Sequence, residues 1–184
     1  DRRALRDRAR AKYGIDIGEP VASSSQKLTV KDSLLKLDWN VSDDHRVNVR
    51  FARTEQADPN FRGFGSNALS LSSYWDREIK KLDTTVAQWF ADWTPEFSTE
   101  LKVSNRKYDK YFDTNSNLPS IQLIYPSGFP DSSSKTERTL SFGTEASRHN
   151  NVLRTTTQDA YFAGNWVRDA HELKFGGDYS SNEV

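Results

Sequence analysis

The chain has 184 residues, and its 26 basic side chains are balanced by 26 acidic ones. Because the charges cancel, no overall field draws the chain to a polyanion, and we expect no nucleic-acid partner. The absence of cysteine excludes disulfides, thiolate zinc sites and cysteine nucleophiles. Methionine is also absent, and we expect the chain to be a piece of a longer protein.

The composition combines high polarity with many aromatic side chains. Mean hydropathy is −0.82, yet 12% of the residues are aromatic and five are tryptophan, which is too many for a disordered chain. No stretch is apolar enough for a membrane helix. A membrane β-strand needs only about 9–11 residues, half of them apolar, and remains open.

The first 31 residues form a charged segment. Residues 1–13 favour a helix, and Gly14 stands where that helix would stop. Its candidate apolar stripe consists of Ala4, Leu5, Ala9 and Tyr13. The residues from Gly18 to Lys31 are typical of a loop.

Beyond this segment the hydrophobic period changes to two. Leu35, Leu37, Trp39 and Val41 alternate with polar residues, and after a polar turn at residues 42–45 the alternation resumes. This pattern predicts a β-hairpin. It recurs twice, and each copy has Asp or Asn, then Trp, then a short turn and an aliphatic residue. The three predicted hairpins span about residues 33–56, 72–112 and 152–180.

Long segments separate the hairpins, at Ala57–Leu71 and Asp113–Asn151, and they are rich in Gly, Pro, Ser and Asn. We predict irregular loops there, and they contain the aromatic residues Phe61, Phe64, Tyr125 and Phe129. One interpretation of these aromatic residues is a part in substrate capture; the other, which we favour for any one of them, is packing within the loop. The predicted fold is therefore all-β, with about six antiparallel up-and-down strands over residues 32–184 and a short N-terminal helix or loop.

Strict alternation of short turns with long loops, and a tryptophan before each short turn, are typical of a transmembrane β-barrel. We predict that Trp39, Trp93 and Trp166 lie at the periplasmic membrane interface, where an indole ring is buried and its N–H stays hydrated. The side chains predicted to face lipid are Leu35, Leu37, Val49, Ala87, Ala91, Val103, Phe162 and Phe175.

Charged residues occupy the other side of the predicted strands. They are Lys36, Asp38, Arg46, Arg50, Lys102, Arg106, Glu172, Lys174 and Asp178. One interpretation is a polar lumen lining that a solute or plug touches. The other, which we favour, is that acids and bases pair across adjacent strands and stabilise the wall.

No motif indicates an enzyme. His45 and His171 lie in predicted short turns and His149 in a long loop, so no pair has metal-ligand spacing and each is expected to be solvated. The run from Asp113 lacks the glycine and glutamate of a calcium loop. We predict no catalytic, metal-binding or cofactor-binding residue.

The segments Leu34–Phe51, Ala87–Leu101 and Ala160–Tyr179 resemble barrel hairpins of TonB-dependent outer-membrane receptors, in particular the Oar-like subgroup. The resemblance implies an outer-membrane barrel of about 22 strands in a Gram-negative bacterium, closed by an N-terminal plug. It also implies uptake of a siderophore, carbohydrate or peptide, energised by the TonB complex.

In such a receptor, residues 1–31 would belong to an outer loop. The partners would be outer-membrane lipid, the rest of the barrel and plug, and the TonB complex through the plug. The sequence contains neither plug nor TonB box, and the resemblance assigns no ligand-binding residue. Two alternatives stay open: a soluble β-sandwich carbohydrate-binding module, and a passive porin-like barrel.

Overall fold

The computed structural model describes residues 2–20, 26–127 and 136–184, and most of these residues are in β-strands. They divide into two compact units. The packed unit comprises Asp1–Thr29, Ala57–Ile79 and Tyr111–Val152, and the sheet unit comprises Val30–Gln56, Lys80–Lys110 and Leu153–Val184. Phe129, a predicted loop aromatic, lies outside the described residues.

A mainly antiparallel six-stranded sheet provides the body of the sheet unit, with strand order β1-β2-β4-β5-β8-β9. Its strands are β1 (Thr29–Asn40), β2 (His45–Asn60), β4 (Asp76–Thr94), β5 (Phe97–Thr114), β8 (Leu153–Arg168) and β9 (His171–Glu183). The sheet is open, with β1 and β9 at its edges. All-β architecture and the six-stranded up-and-down order are therefore confirmed.

The three tight turns of this sheet lie at one end, as predicted. The Asp92 amide donates to the Asp44 carbonyl at 2.8 Å, which joins the β1–β2 turn to the end of β4. The Val167 amide donates to the Glu96 carbonyl at 2.7 Å, which joins the β4–β5 turn to the end of β8. Neighbouring turns therefore meet side by side.

The packed unit contains the helix and a second, three-stranded sheet. The helix is α1 (Arg2–Tyr13), and the sheet consists of β3 (Ala68–Ser70), β6 (Ile121–Ser127) and β7 (Thr136–Phe142) in the order β3-β7-β6. Strand β3 pairs with β7 in parallel, and β6 pairs with β7 antiparallel.

The predicted helix is confirmed, and it ends at Gly14. The backbone of Gly14 has φ +67°, and its amide donates to the Arg10 carbonyl at 3.0 Å, so a residue without Cβ ends the last turn. Leu5 and Ala9 pack against the core, whereas Ala4 and Tyr13 of the predicted stripe are exposed.

A small hydrophobic core lies in the packed unit. It is formed by Ile17, Leu71, Leu140 and Phe142, all at most 6% exposed. Full burial of each such side chain contributes about 1.5–3 kcal/mol. The sheet unit has no comparable cluster among the described residues, because its buried hydrophobic side chains are limited to Val86, Ala91 and Ala163.

The long segments were predicted to be irregular, and this was wrong. Strand β2 continues to Asn60, and the segments also contain β3, β6 and β7. The strand predicted from Ser72 begins instead at Asp76, because Ser72–Tyr74 form a 3₁₀ turn whose Ser73 hydroxyl donates to the Ile17 carbonyl at 2.6 Å. Packing onto the core, rather than local periodicity, determines these elements.

Candidate functional site

The six-stranded sheet has one apolar face, built by alternation of side chains along each strand. Registers show that the rows from different strands coincide, since Leu101 pairs with Phe162, and Val103 pairs with Ala160, which pairs with Tyr179. The apolar face consists of Leu35, Leu37, Trp39, Val47, Val49, Phe51, Ala87, Trp89, Ala91, Trp93, Leu101, Val103, Phe162, Trp166, Leu173, Phe175 and Tyr179.

Most large side chains of the apolar face are uncovered within the chain. Leu35 is 71% exposed and Leu37 is 63% exposed, and Val103, Phe162 and Phe175 each remain more than 40% exposed. Ala91 is an exception to the predicted lipid-facing set, because it is only 1% exposed. Its short side chain lies between the large indoles of Trp89 and Trp93 along the same strand.

The three predicted tryptophans stand beside the tight turns. Trp39 and Trp93 precede their turns by two residues, and Trp166 pairs with Leu173 in the last hairpin. The Trp93 indole donates to the Thr99 hydroxyl at 2.8 Å. Each tryptophan keeps a large exposed surface on the apolar face.

His45 was predicted to be a solvated turn residue, and this was wrong. It begins β2, and its ring centroid lies 5.9 Å from that of Trp89 and 5.2 Å from that of Trp93. Its Nδ1 is buried without a hydrogen-bond partner. Only the pairing of β2 with β4 brings these rings together, and the sequence gives no local signal for it.

Charged pairs replace apolar side chains farther from the tight turns. Arg53 donates to both carboxylate oxygens of Asp83, at 2.6 and 2.8 Å, and Arg154 lies 3.6 Å from Asp109. Lys81 approaches Glu55 to 4.0 Å. These boundary pairs continue the rows of the apolar face, so the apolar band is limited on both sides.

The opposite, polar face carries a groove of ≈ 770 Å³. The groove is lined by five of the predicted lumen-facing residues: Lys36, Arg50, Lys102, Arg106 and Asp178. Lys174 lines a smaller cavity of ≈ 140 Å³. Asp38 lies 2.8 Å from Lys36, and Arg46 covers the Phe90 ring at 4.7 Å. Glu172 pairs with Val167 in the β8–β9 register.

Hydrogen bonds cross several strands on the polar face. Asn48 donates to Gln88 at 3.5 Å, and Gln88 donates to Glu100 at 2.5 Å, which links β2, β4 and β5. Asp159 accepts from Ser104 at 2.9 Å and from Ser180 at 2.7 Å, which links β5, β8 and β9. Neutral amides and hydroxyls therefore donate across strands to the carboxylates of Glu100 and Asp159 on this face.

Ion pairs on the polar face occur both between strands and within one strand. Arg106 reaches Asp159 across strands at 3.9 Å, whereas Lys36 pairs with Asp38 within one strand. Lys102 lies over the Tyr161 ring at 5.9 Å. Exposed pairs of this kind contribute about 1 kcal/mol or less. Side-chain hydrogen bonds and ion pairs therefore both connect strands on the polar face.

A further cavity, which we call the cleft, lies in the packed unit and has a volume of ≈ 680 Å³. It is lined by Asn60, Phe61, Arg62, Gly63, Ala68, Tyr74, Gln122, Thr139, Ser141 and Glu145. Of these, Phe61 is one of the predicted loop aromatics. The others come from segments more than 40 residues apart that β-pairing brings together.

Asp76 forms a buried ion pair behind the cleft. Both carboxylate oxygens accept from the Arg62 guanidinium, and Asn60 donates to Oδ1 at 2.9 Å. The guanidinium also lies 5.4 Å from the centre of the Phe112 ring. Burial works against the charged guanidinium, but the hydrogen bond and charge of Asp76 outweigh it, so the pKa of Arg62 is raised.

Glu145 is held as a carboxylate at the edge of the cleft. It accepts from the Ser147 amide at 3.0 Å, the Arg148 amide at 2.6 Å and the Ser147 hydroxyl at 2.6 Å. Burial opposes its charge, but these hydrogen bonds and the nearby Arg62 outweigh that effect. The pKa of Glu145 is therefore lowered.

The loop around Glu145 should consequently lose stability in acid. Because the folded-state pKa lies below the 4.5 of an unperturbed glutamate, the contribution is present above pH 4.5 and is lost as pH falls through the lowered value. NMR titration of the Ser147 and Arg148 amides should report this midpoint. We expect Glu145→Gln to abolish the titration, and a midpoint at or above 4.5 would contradict the assignment.

The described ranges contain no helix with the length and apolarity to cross a membrane. Within the same ranges, no three His, Cys, Asp or Glu side chains come together as a set able to hold a metal ion. Comparisons of the chain with protein-family models, with curated proteins and with solved structures give no significant match.

Proposed function

We propose that the chain forms part of the barrel wall of a TonB-dependent receptor in the outer membrane of a Gram-negative bacterium. Such a receptor takes up a siderophore, carbohydrate or peptide. The observation that carries the proposal is the uncovered apolar face, with tryptophans beside the tight turns on one side and boundary pairs on the other.

The extent of the apolar face supports a lipid environment. Leu35, Leu37, Phe162 and Phe175 belong to a continuous apolar surface, and soluble monomers rarely expose such patches beyond a few hundred Å². On β4 the band runs from Thr85 to Trp93, about nine residues, which is close to the length of a tilted strand that crosses the hydrocarbon. A tryptophan row at one limit suits the aromatic girdle of a barrel.

The open edges support a larger barrel. Strands β1 and β9 are the edges of the sheet, and unpaired backbone groups in hydrocarbon cost several kcal/mol each. We infer that further strands of the same barrel pair with them. The polar face would then line the lumen, where it meets the plug or a passing solute. The specific assignment to TonB-dependent receptors, rather than porins, is supported by the resemblance of the hairpins.

The proposal predicts that the 184-residue chain requires detergent. In water the apolar face and the two edges should drive aggregation, whereas in micelles the chain should remain dispersed with the β-content of the structure. Sedimentation and circular dichroism measure both outcomes. A monomeric chain that unfolds cooperatively in water would overturn the proposal in favour of a soluble β-sandwich.

If the natural protein contains sequence before Asp1, that sequence separates the two barrel functions. A globular plug domain encoded there would support the receptor. A signal sequence followed directly by further barrel hairpins would instead favour the passive porin.

A further inference from the structure

We propose that the cleft of the packed unit binds a saccharide that is uncharged or carries an amine. This inference goes beyond the proposed wall function and does not depend on it, because every residue that carries it belongs to the packed unit. The volume of ≈ 680 Å³ lies within the range of small-molecule sites, about 300–1,000 Å³.

The charges of the cleft disfavour an anionic ligand. The guanidinium of Arg62 is neutralised by Asp76, whose side chain is only 1% exposed and lies behind it. Asp76 and Glu145 share this one guanidinium, so the three groups together carry one net negative charge. An anion would meet repulsion there, whereas a hydroxyl or an ammonium group can donate to the Glu145 carboxylate.

The Glu145 carboxylate is held in place and can still accept a further hydrogen bond. Its three hydrogen bonds come from Ser147 and Arg148, two on Oε2 and one on Oε1. A carboxylate has about four lone-pair sites, so one site on Oε1 remains. Because the loop already holds the carboxylate, a ligand hydroxyl or amine would bind without ordering a free side chain.

Phe61 offers an aromatic platform in the same cleft. It is 42% exposed, and its ring stands edge-on to Trp75 with centroids 5.1 Å apart. The Trp75 indole is anchored by a hydrogen bond to the Ser70 hydroxyl at 2.7 Å. A ring fixed in this way can cover the apolar C–H face of a sugar.

Gly63 gives the cleft its shape. It has φ +79°, and a Cβ at this position would lie 3.0 Å from Ser70 and 3.2 Å from the Tyr74 ring. The Tyr74 ring therefore packs directly against the backbone of Gly63. The exposed amide of Gln122 and the hydroxyl of Thr139 complete the lining with groups that both donate and accept, as sugar hydroxyls do.

The test is calorimetric titration of the full chain in a detergent without a sugar headgroup. The probes are glucosamine, N-acetylglucosamine, maltose, glucuronate and a lysine-containing dipeptide. We expect the two amino sugars or maltose to bind, with glucuronate at least about tenfold weaker, a factor equivalent to about 1.4 kcal/mol. Tighter binding of the dipeptide than of every sugar would overturn the saccharide assignment, and so would equal binding of glucuronate.

Variants locate the binding. Phe61→Ala should weaken every sugar, whereas Phe64→Ala should not, because Phe64 also packs on Trp75 but does not line the cleft. Glu145→Gln should weaken glucosamine about tenfold. Ser147→Ala loosens the same loop but keeps the carboxylate, so it should retain binding.

If Phe61→Ala and Phe64→Ala lower the sugar affinity equally, the assignment of binding to the cleft is wrong. It is also wrong if Glu145→Gln leaves the affinity for glucosamine unchanged. Amide exchange of β7 confirms that each variant is folded. If the chain is monomeric and unfolds cooperatively in water, the proposal of a barrel wall is wrong. The same titration, carried out in water, would still show whether the cleft binds a saccharide.

Discussion

Asp76→Ala should lower the free energy of opening of the packed unit by about 3 kcal/mol, the lower end of the cost of breaking a buried ion pair. The Asp76 side chain is 1% exposed and accepts from both Arg62 and Asn60. Removing the carboxylate leaves a guanidinium without its partner in a site where water cannot fully replace it. The chain has two units, so a single global unfolding energy is not the appropriate quantity.

Amide hydrogen exchange measures the local effect. The Leu71 amide donates to the Ser141 carbonyl at 2.9 Å and reports on the packed unit. A loss of about 3 kcal/mol corresponds to about 100-fold faster exchange at this amide.

The chain also supplies a matched control. Asp83 forms the same two-pronged pair with Arg53, but its side chain is 31% exposed. Asp83→Ala should cost about 1 kcal/mol or less in the exchange of β4 amides, because water solvates both partners. Equal costs for Asp76→Ala and Asp83→Ala would contradict the role of burial. The double variant Arg62→Met with Asp76→Leu should recover much of the loss.

The six-stranded sheet was predictable because its information is local. Alternation at Leu35, Leu37 and Trp39 identifies a strand with two different faces, and a polar turn after each tryptophan identifies a hairpin. Each hairpin needs only its own residues to be recognised. The repeat then orders three of them in one up-and-down sheet.

Apart from its helix, the packed unit was not predictable, because its contacts are distant in sequence. Ile17 lies in a short loop without periodicity, and it becomes buried only when Leu71 and Phe142 arrive from segments that are 54 and 125 residues further on. Strand β6 contains Pro126, which argues against a strand within a sheet, but β6 is an edge strand, where proline is tolerated.

The cleft was also not predictable, because its lining residues are distant in sequence. Glu145 and Gln122 have no motif around them, and the pairing of β7 with both β3 and β6 brings their segments to the same cleft as Phe61. Aromatic residues in the segment were the one local signal. They identified Phe61 but could not separate it from Phe64, which lies outside the cleft lining.

An arginine substitution on the apolar face tests whether lipid or protein covers that face. Leu101 lies within the apolar band and pairs with Phe162, so Leu101→Arg would put a guanidinium near the middle of the hydrocarbon. We expect a cost of about 2–4 kcal/mol in the free energy of insertion into phosphatidylcholine vesicles. Ser104→Arg, on the polar face of the same strand and beside Asp159, should change that free energy by less than about 1 kcal/mol.

Urea-dependent partitioning of the chain between solution and vesicles measures both variants. The informative quantity is the difference in insertion free energy between Leu101→Arg and Ser104→Arg, because either substitution alone also alters strand propensity and packing. Leu101→Gln serves as a further control, since it removes apolar surface without adding charge and should fall between the two. Equal costs for Leu101→Arg and Ser104→Arg would mean that lipid does not cover the apolar face. A larger cost at Ser104 would reverse the orientation, with the hydrogen-bonded face turned to the membrane.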